Sequence, residues 1–290
     1  MNAFSIHQAS ERRVKIVADS SADILALPQV PFASVPLKII TDKKEYVDDD
    51  RLSVEDMVND LKVYKGRSST ACPNAEDYLA AFEGADEVYC VTITGTLSGS
   101  YNAALTAKAL YEEAHPGSRV FVFNSLTAAA EVRLLVEKLE SLIMAGVDFD
   151  SICKEMTAYK SRTGLVFMLA SLRNFANNGR VSPAVAKFAG LMGIRIVGKA
   201  SDRGDLEPMD KCKGQQKALS TLLSRMLRLG YDGGRVMIAH CFNSEGGAIF
   251  KKMIKEQFPA ARVSVYPCRG LCSFYAEEGG MLVGFEKAGV

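Results

Sequence analysis

The chain is 290 residues long, 48% hydrophobic and 24% charged, an ordinary globular composition that excludes disorder, collagen-like repeats and low-complexity architecture. That length exceeds what one hydrophobic core organises, so two packed domains are expected. Thirty-five Lys+Arg against thirty-four Asp+Glu give a net charge of +1 and Trp is absent, leaving neither the field nor the stacking platforms that gather nucleic acid or anionic lipid.

Beyond a polar tail, Val14–Ala18 reads as a buried strand that runs directly into Asp19-Ser20-Ser21. Phe32–Thr41 and Glu45–Val47 read as extended or hairpin structure around the turn Asp42-Lys43-Lys44. Ser53 with Asp56 resembles a capping box opening a helix to about Tyr64. Asn74 is placed to cap a second helix, with Glu76 and Asp77 complementing its positive end. Glu87–Thr92 is a strand by its β-branched and aromatic content, and a helix follows Leu97-Ser98-Gly99 with an apolar stripe of Ala103, Ala107, Leu110 and Ala114. Val120–Phe123 is the next strand. The helix after it buries Val132, Leu135, Val136, Leu139, Leu142 and Ile143 and stops at Gly146. Alternating strands and helices imply a parallel sheet covered on both faces.

The second half has another rhythm. Leu165–Leu169 reads as a strand, and Ser182-Pro183 opens a short helix with Pro at its first position. Ile194–Lys199 and Leu206–Lys211 flank the turn-rich Ser201–Asp205, the pattern of an antiparallel hairpin. A helix Gln215–Leu229, strand Val236–His240, helix Glu245–Gln257 and strands Arg262–Tyr266 and Met281–Phe285 complete the chain. The fold class is therefore α/β with two domains: an N-terminal parallel-sheet α/β/α domain over 14–160, and a C-terminal α+β domain with a mixed or antiparallel sheet over 161–290.

The tail MNAFSIHQASERR lacks an apolar core, so no secretory signal is expected. Thr163–Leu172, the most hydrophobic uncharged run, is far short of the roughly 18 apolar residues of a membrane span. A cytoplasmic protein without a membrane span follows. Seven cysteines at irregular spacing are expected as reduced thiols. Cys268 and Cys272 form C-x3-C and Cys241 follows His240, but the C-x2-C pairs of structural zinc are missing, so buried hydrophobes are favoured over metal.

Three polar stretches sit where strands hand over to loops: Asp19-Ser20-Ser21, Ser68-Ser69-Thr70 and Thr94-Gly95-Thr96-Leu97-Ser98-Gly99. Ligands of open α/β sheets bind beyond the carboxyl ends of the strands. Ser98 stands at a helix start, where free N–H groups favour an anion; from spacing alone the plain N-cap is the favoured reading. No G-x4-G-K-[ST] or G-x-G-x-x-G phosphate cradle is present. Of His7, His115 and His240, only His240 could face Ser98 and Asp19 as a hydrolytic triad, and a packed strand-end histidine is the competing reading. The stretch around Ser98 is not a G-x-S-x-G elbow.

Val17-Ala18-Asp19-Ser20-Ser21-Ala22-Asp23-Ile24, Thr70-Ala71-Cys72-Pro73-Asn74-Ala75-Glu76-Asp77-Tyr78 and Leu97-Ser98-Gly99-Ser100-Tyr101 resemble the successive signatures of the DegV family. Asn178-Gly179-Arg180-Val181 resembles its glycine-arginine turn, and Lys211-Cys212-Lys213-Gly214 its lysine-glycine segment. The resemblance implies a non-enzymatic protein that needs no cofactor. Such a protein holds one long-chain fatty acid in a tunnel between two domains and presents its carboxylate to a separate fatty-acid kinase. Thr70 and Ser98 match the family's carboxylate-holding hydroxyls, with the Gly99 N–H assisting.

Two departures stand out. The family's T-S pair is Thr70-Ala71 here, one hydroxyl fewer, and the family's C-terminal histidine turn is replaced by Arg269–Gly280, where Tyr275 falls near the histidine's place. Its phenol can donate the same hydrogen bond, or the ring can serve in packing. Arg180, Lys199, Lys211 and Lys213 read either as a docking rim or as solvated cations; Asp48-Asp49-Asp50 reads as a solvated loop. Leu165, Phe167, Met168, Leu191 and Met192 read as tunnel lining or core. The alternatives are a serine-dependent hydrolase or phosphoryl-transfer enzyme using Ser98 with His240 or Asp19, and a binding module that no longer carries lipid.

Overall fold

The computed structural model describes residues 12–181, 185 and 193–288; the expected helix start at Ser182-Pro183 and the side chains Leu191 and Met192 lie outside them. In the first half, β1 (Val14–Asp19), β2 (Phe32–Val35), β6 (Glu87–Thr92) and β7 (Arg119–Asn124) form a wholly parallel sheet in the order β2-β1-β6-β7. Every residue of β6 is buried, as its run Val88-Tyr89-Cys90-Val91 requires of a strand covered on both faces. On one face Val17, Val88 and Val120 pack against Tyr78 and Phe82 of α2 (Ala75–Phe82) and Ala104, Ala107 and Tyr111 of α3 (Ser100–Ala114). On the other, Ile16, Ala18 and Val91 meet Val132, Leu135 and Leu139 of α4 (Ala130–Met144) and Ile152 and Met156 of α5 (Phe149–Ser161).

A small antiparallel sheet, β4-β3-β5, is built from β3 (Lys38–Ile40), β4 (Glu45–Val47) and β5 (Ser69–Ala71), with α1 (Val54–Val63) leading from the second to the third. Ser53 accepts from the Asp56 N–H, the one-way half of the expected capping box, and Asn74 caps the second helix as expected, with Asp77 returning the bond in a reciprocal box.

The second half carries a six-stranded mixed sheet in the order β10-β9-β8-β13-β11-β12. Its strands are β8 (Thr163–Leu169), β9 (Ile194–Ala200), β10 (Leu206–Lys213), β11 (Val236–His240), β12 (Val263–Pro267) and β13 (Met281–Glu286). Only β11 and β12 pair in parallel. One face is closed by α7 (Gln215–Arg228) and α8 (Ser244–Gln257) over Val166, Met168, Val197 and Val283. α6 (Arg173–Asn177) follows β8, and α9 (Gly270–Ala276) joins β12 to β13.

The other face turns toward the first sheet. Leu165, Phe167 and Leu169 share a cluster with Ala129, Ala130 and Leu134 at the start of α4. Contact is close there: a Cβ on Gly284 of β13 would stand 2.5 Å from the Glu131 nitrogen. The two halves therefore meet along a packed seam rather than through a bare linker.

Three expectations are corrected and one alternative is decided. The inward stripe of α3 is Ser100, Ala104, Ala107 and Tyr111, whereas Leu110 is 45% exposed; the helix is rotated because Tyr111 reaches back to donate to the Ala85 carbonyl at 2.8 Å. For Met168 the core alternative holds: it packs under α7, because strand alternation sends it away from Phe167. α5 and α9 occupy stretches without an expected helix. Asp48 is buried, not a solvated loop residue, because it is consumed at the start of α9.

Candidate functional site

A cavity of about 300 Å³ opens between the two sheets, at the lower end of the roughly 300–1,000 Å³ typical of small-molecule sites. Its apolar wall comes from both halves: Leu37 and Ile93 from one, Leu165, Phe167, Leu206 and Leu282 from the other. Ser98, Thr70, Gly99 and Tyr275, the residues singled out from the sequence, all line this one cavity.

Each is positioned by a separate element. Thr70 is the middle residue of β5, paired across to Ile39. Ser98 precedes α3, and its hydroxyl accepts from the Ser100 N–H at 3.3 Å, a turn that leaves Gly99 at the cap position with no side-chain cap. The plain N-cap reading of Ser98 is corrected: Gly99 holds the cap position, and the Ser98 hydroxyl one residue earlier closes only a turn with Ser100. Gly99 packs closely on the next segment: a Cβ there would lie 3.0 Å from the Cys72 sulfur. Tyr275 comes from α9 on the other side of the seam, and its Oη stands 2.8 Å from Thr70 Oγ1.

The phenol is fixed by packing. Its ring lies 4.6 Å from that of Phe175 and 4.9 Å from that of Phe274 between centroids. Burial pushes its ionisation upward, against the pull of the Thr70 hydrogen bond and the Arg180 charge. The phenol therefore stays neutral at physiological pH and keeps a proton it can donate. Arg180, also in the wall, donates through Nε to the Leu97 carbonyl at 3.2 Å and through Nη1 to that of Asn178, which ties the turn after α6 to the loop before Ser98. Of the other expected rim cations, Lys199 pairs with Glu207 at 3.4 Å, and Lys211 and Lys213 lie exposed on β10. Of the residues read as lining or core, Leu165 and Phe167 line the cavity, joined by Leu169 two residues on.

The triad reading gains no hydrogen bond. Asp19 is wholly buried and consumed: Oδ1 takes the Ser21 hydroxyl at 2.5 Å, and Oδ2 takes the Ser100 hydroxyl at 2.6 Å and the Ile93 N–H at 2.8 Å. It therefore braces the loops around Ser98 from behind. The Asn243 N–H points at His240 Nδ1 at 3.3 Å, and burial lowers the imidazole's basicity. Among the described residues, no group of three His, Cys, Asp or Glu side chains could hold a metal ion, and no helix is long and apolar enough to cross a membrane.

Sequence reasoning passed over Phe175, Leu206 and Leu282 in the wall, and the acids Asp23 and Asp48 behind it. Leu169 was within reach, since β8 alternates Leu165, Phe167, Leu169 with period two. The others are brought in by contacts between distant segments.

Two sheets with an apolar cavity at their seam and hydroxyls in its wall have the build of a small-molecule-binding protein. The chain belongs to the DegV family, whose model, described as "Uncharacterised protein, DegV family", matches residues 13–288. It is 44% identical to a DegV domain-containing protein of Streptococcus pneumoniae over 94% of this chain and 98% of that protein. Its fold matches the crystal structure of the Streptococcus pneumoniae fatty acid kinase B3 protein loaded with linoleic acid, with a TM-score of 0.93 and 43% identity over 95% of this chain and 99% of that one. A DegV family protein from Eubacterium eligens loaded with heptadecanoic acid matches with a TM-score of 0.93 and 41% identity over 95% and 100% of the two chains.

Proposed function

We propose that the protein is a carrier of long-chain fatty acid, without catalysis or cofactor of its own, that works in the cytoplasm and presents the bound carboxylate to a separate fatty-acid kinase. Residues 14–160 supply the carboxylate-binding loops, and 161–290 form the other wall of the acyl slot. The observation that carries this reading is the meeting of Thr70 and Tyr275, 2.8 Å apart in the wall of an otherwise apolar cavity. The fatty acids in two solved relatives above 40% identity support it.

The chemistry is that of a buried carboxylate. Taking it from water is costly unless several donors replace its hydration. Ser98 and Thr70 supply hydroxyls, Tyr275 a third, and the Gly99 N–H lies at the uncapped start of α3, where the helix dipole favours negative charge. The acyl chain gains roughly 0.8 kcal/mol gross for each buried CH₂, so the tail supplies affinity and the head group supplies orientation. Neutral donors hold the carboxylate without pairing its charge, which leaves it to be taken up by a phosphorylating partner.

The test is intact mass of the purified protein under native and denaturing conditions, followed by lipid analysis of the released material. A non-covalent adduct of fatty-acid mass supports the carrier; a protein that stays unliganded after incubation with fatty acids overturns it. Ser98→Ala is expected to weaken binding while the circular dichroism spectrum is kept, and unchanged affinity would remove Ser98 from the head-group site.

A further inference from the structure

A second cluster of buried polar groups lies behind the cavity wall, and the carrier role makes no use of it. Asp23 ends the 3-10 turn after β1 with φ +55, and its Oδ1 accepts from the Arg269 N–H at 2.8 Å. Asp48 Oδ1 and Oδ2 accept from the Gly270 and Leu271 N–H groups at 2.9 and 2.8 Å. Three successive N–H groups at the start of α9 are thus gripped by two carboxylates from across the seam. Four residues of that helix, Leu271, Cys272, Tyr275 and Ala276, line the cavity.

The grip is incompletely satisfied. Asp23 Oδ2 and Arg269 Nε are both buried without a hydrogen-bond partner, and Arg269 Nε stands 3.9 Å from Asp48 Oδ1. Facing Asp23 from the elements around it are Asp48, Arg269, Arg133 of α4, the thiols of Cys272, Cys268 and Cys241, and the Tyr266 phenol. Neither guanidinium reaches Asp23 Oδ2. Arg133 stacks over Tyr266 at 4.3 Å and donates to the Asp23 backbone carbonyl at 3.5 Å, while Arg269 Nη2 is taken by the Asp49 carbonyl. Burial, with the Asp48 charge added, pushes Asp23 up to about 7, against the pull of the Arg269 N–H and the Cys272 thiol.

We propose that Asp23 is a proton-operated clasp that positions α9: protonated, it holds the helix so that Tyr275 meets Thr70, and ionised, it loosens the seam and speeds release of the bound acid. The identity of that acid rests on the carrier function proposed above. The sign follows from linkage. The closed seam takes up a proton at about 7, whereas a solvated aspartate does so near 3.9. Closure is therefore fully favoured below the solvated value, weakens as pH rises between the two, and is at its weakest above about 7. One proton sets a ceiling of about tenfold per pH unit.

The experiment compares the protein with Asp23→Asn between pH 5.5 and 8.5, reading the melting temperature and the off-rate of a fluorescent polyunsaturated fatty acid, cis-parinaric acid. Asn keeps the oxygen that accepts from Arg269 and carries no charge. The parent protein is expected to lose melting temperature and release the probe roughly tenfold faster at pH 8 than at pH 6, with Asp23→Asn level in both and close to the parent's low-pH values. Ionisation of the probe in solution is common to both proteins and cancels. Matching slopes in parent and variant overturn the clasp. No probe binding by either protein at any pH overturns the carrier function, and the melting comparison still decides the clasp. Should Asp23→Asn not fold, carboxyl ¹³C NMR of the parent decides: an aspartate titrating near neutrality whose midpoint rises on adding fatty acid supports the proposal, as reciprocity requires, and its absence overturns it.

Discussion

Thr70 and Tyr275 are 205 residues apart in the chain, and their hydroxyl oxygens stand 2.8 Å apart across the seam between the two sheets. A carboxylate entering this site can exchange the bond between the hydroxyls for one from each. Tyr275→Phe keeps the ring against Phe175 and removes only the donor. It is expected to weaken fatty-acid binding by about 1.5–3 kcal/mol, roughly 10- to 100-fold, the worth of a hydrogen bond to a charged group. Displacement of a fluorescent fatty acid measures this, and an unchanged melting temperature separates a lost donor from a damaged fold.

Cys72 is the exposed one of the seven cysteines and lies in the cavity wall beside Gly99. Cys153 is half-buried and its thiol is pushed up to about 11 by burial, while the remaining five are buried. Brief maleimide labelling at neutral pH is therefore expected to modify Cys72 first, and prior loading with fatty acid to slow that reaction. Mass mapping of the labelled peptide reads the site. Equal labelling rates with and without ligand would place the bound chain away from Cys72.

The layers of this fold are legible in one dimension where their signals are local. The continuous apolar run Val88–Val91 of β6, with Ile16-Val17-Ala18 of β1 beside it, specifies a doubly covered parallel sheet, and the Ser53 and Asn74 caps fix two helix starts to the residue. α5 is legible too, in its Phe149, Ile152, Met156, Tyr159 stripe and its Asp148 cap, and it is the one long helix absent from the sequence-derived elements. α9 is different. Seven residues that open on glycine and have no side-chain cap carry no helix signal, because the groups that start the helix are Asp23 and Asp48, more than 220 residues away. Ser98 could be picked out by its place before a helix, and Thr70 and Tyr275 by the family resemblance, although Thr70 lies inside β5 rather than where a strand hands over to a loop; the acids that position Tyr275 could not.

Asp48 marks the difference most clearly. Within Asp48-Asp49-Asp50 it is wholly buried, while Asp49 pairs with the largely exposed Arg51. Asp48→Ala strips acceptors from the buried Gly270 and Leu271 N–H groups. A loss of about 3–5 kcal/mol in folding stability is expected, read by urea unfolding. The Asp48 charge also raises Asp23, so in any folded variant lacking that charge the neutral-range titration of Asp23 shifts to lower pH. Carboxyl NMR checks this, and a midpoint that stays in place would mean the two acids do not sense each other.

The seam itself is tested at Gly284. On β13 its Cα faces the first turn of α4, and a Cβ there would come within 2.5 Å of the Glu131 nitrogen and 2.6 Å of the Ala130 carbonyl carbon. Both are backbone atoms, so no side-chain rotation can clear the way. Gly284→Ala must push α4 off the six-stranded sheet, and with it Ala129, Ala130 and Leu134, which share a core cluster with Leu165 and Phe167 in the cavity wall. An overpacking cost of about 3 kcal/mol is expected in urea unfolding, together with faster fatty-acid release. The control is Gly117→Ala on the α3–β7 turn, where nothing lies within 4 Å of the added carbon: strain from its φ of +95 lowers stability there, and fatty-acid release stays at the parent rate. If both variants released ligand equally fast, the effect would reflect general loss of stability, and tight packing of α4 on β13 would not be what holds the cavity closed.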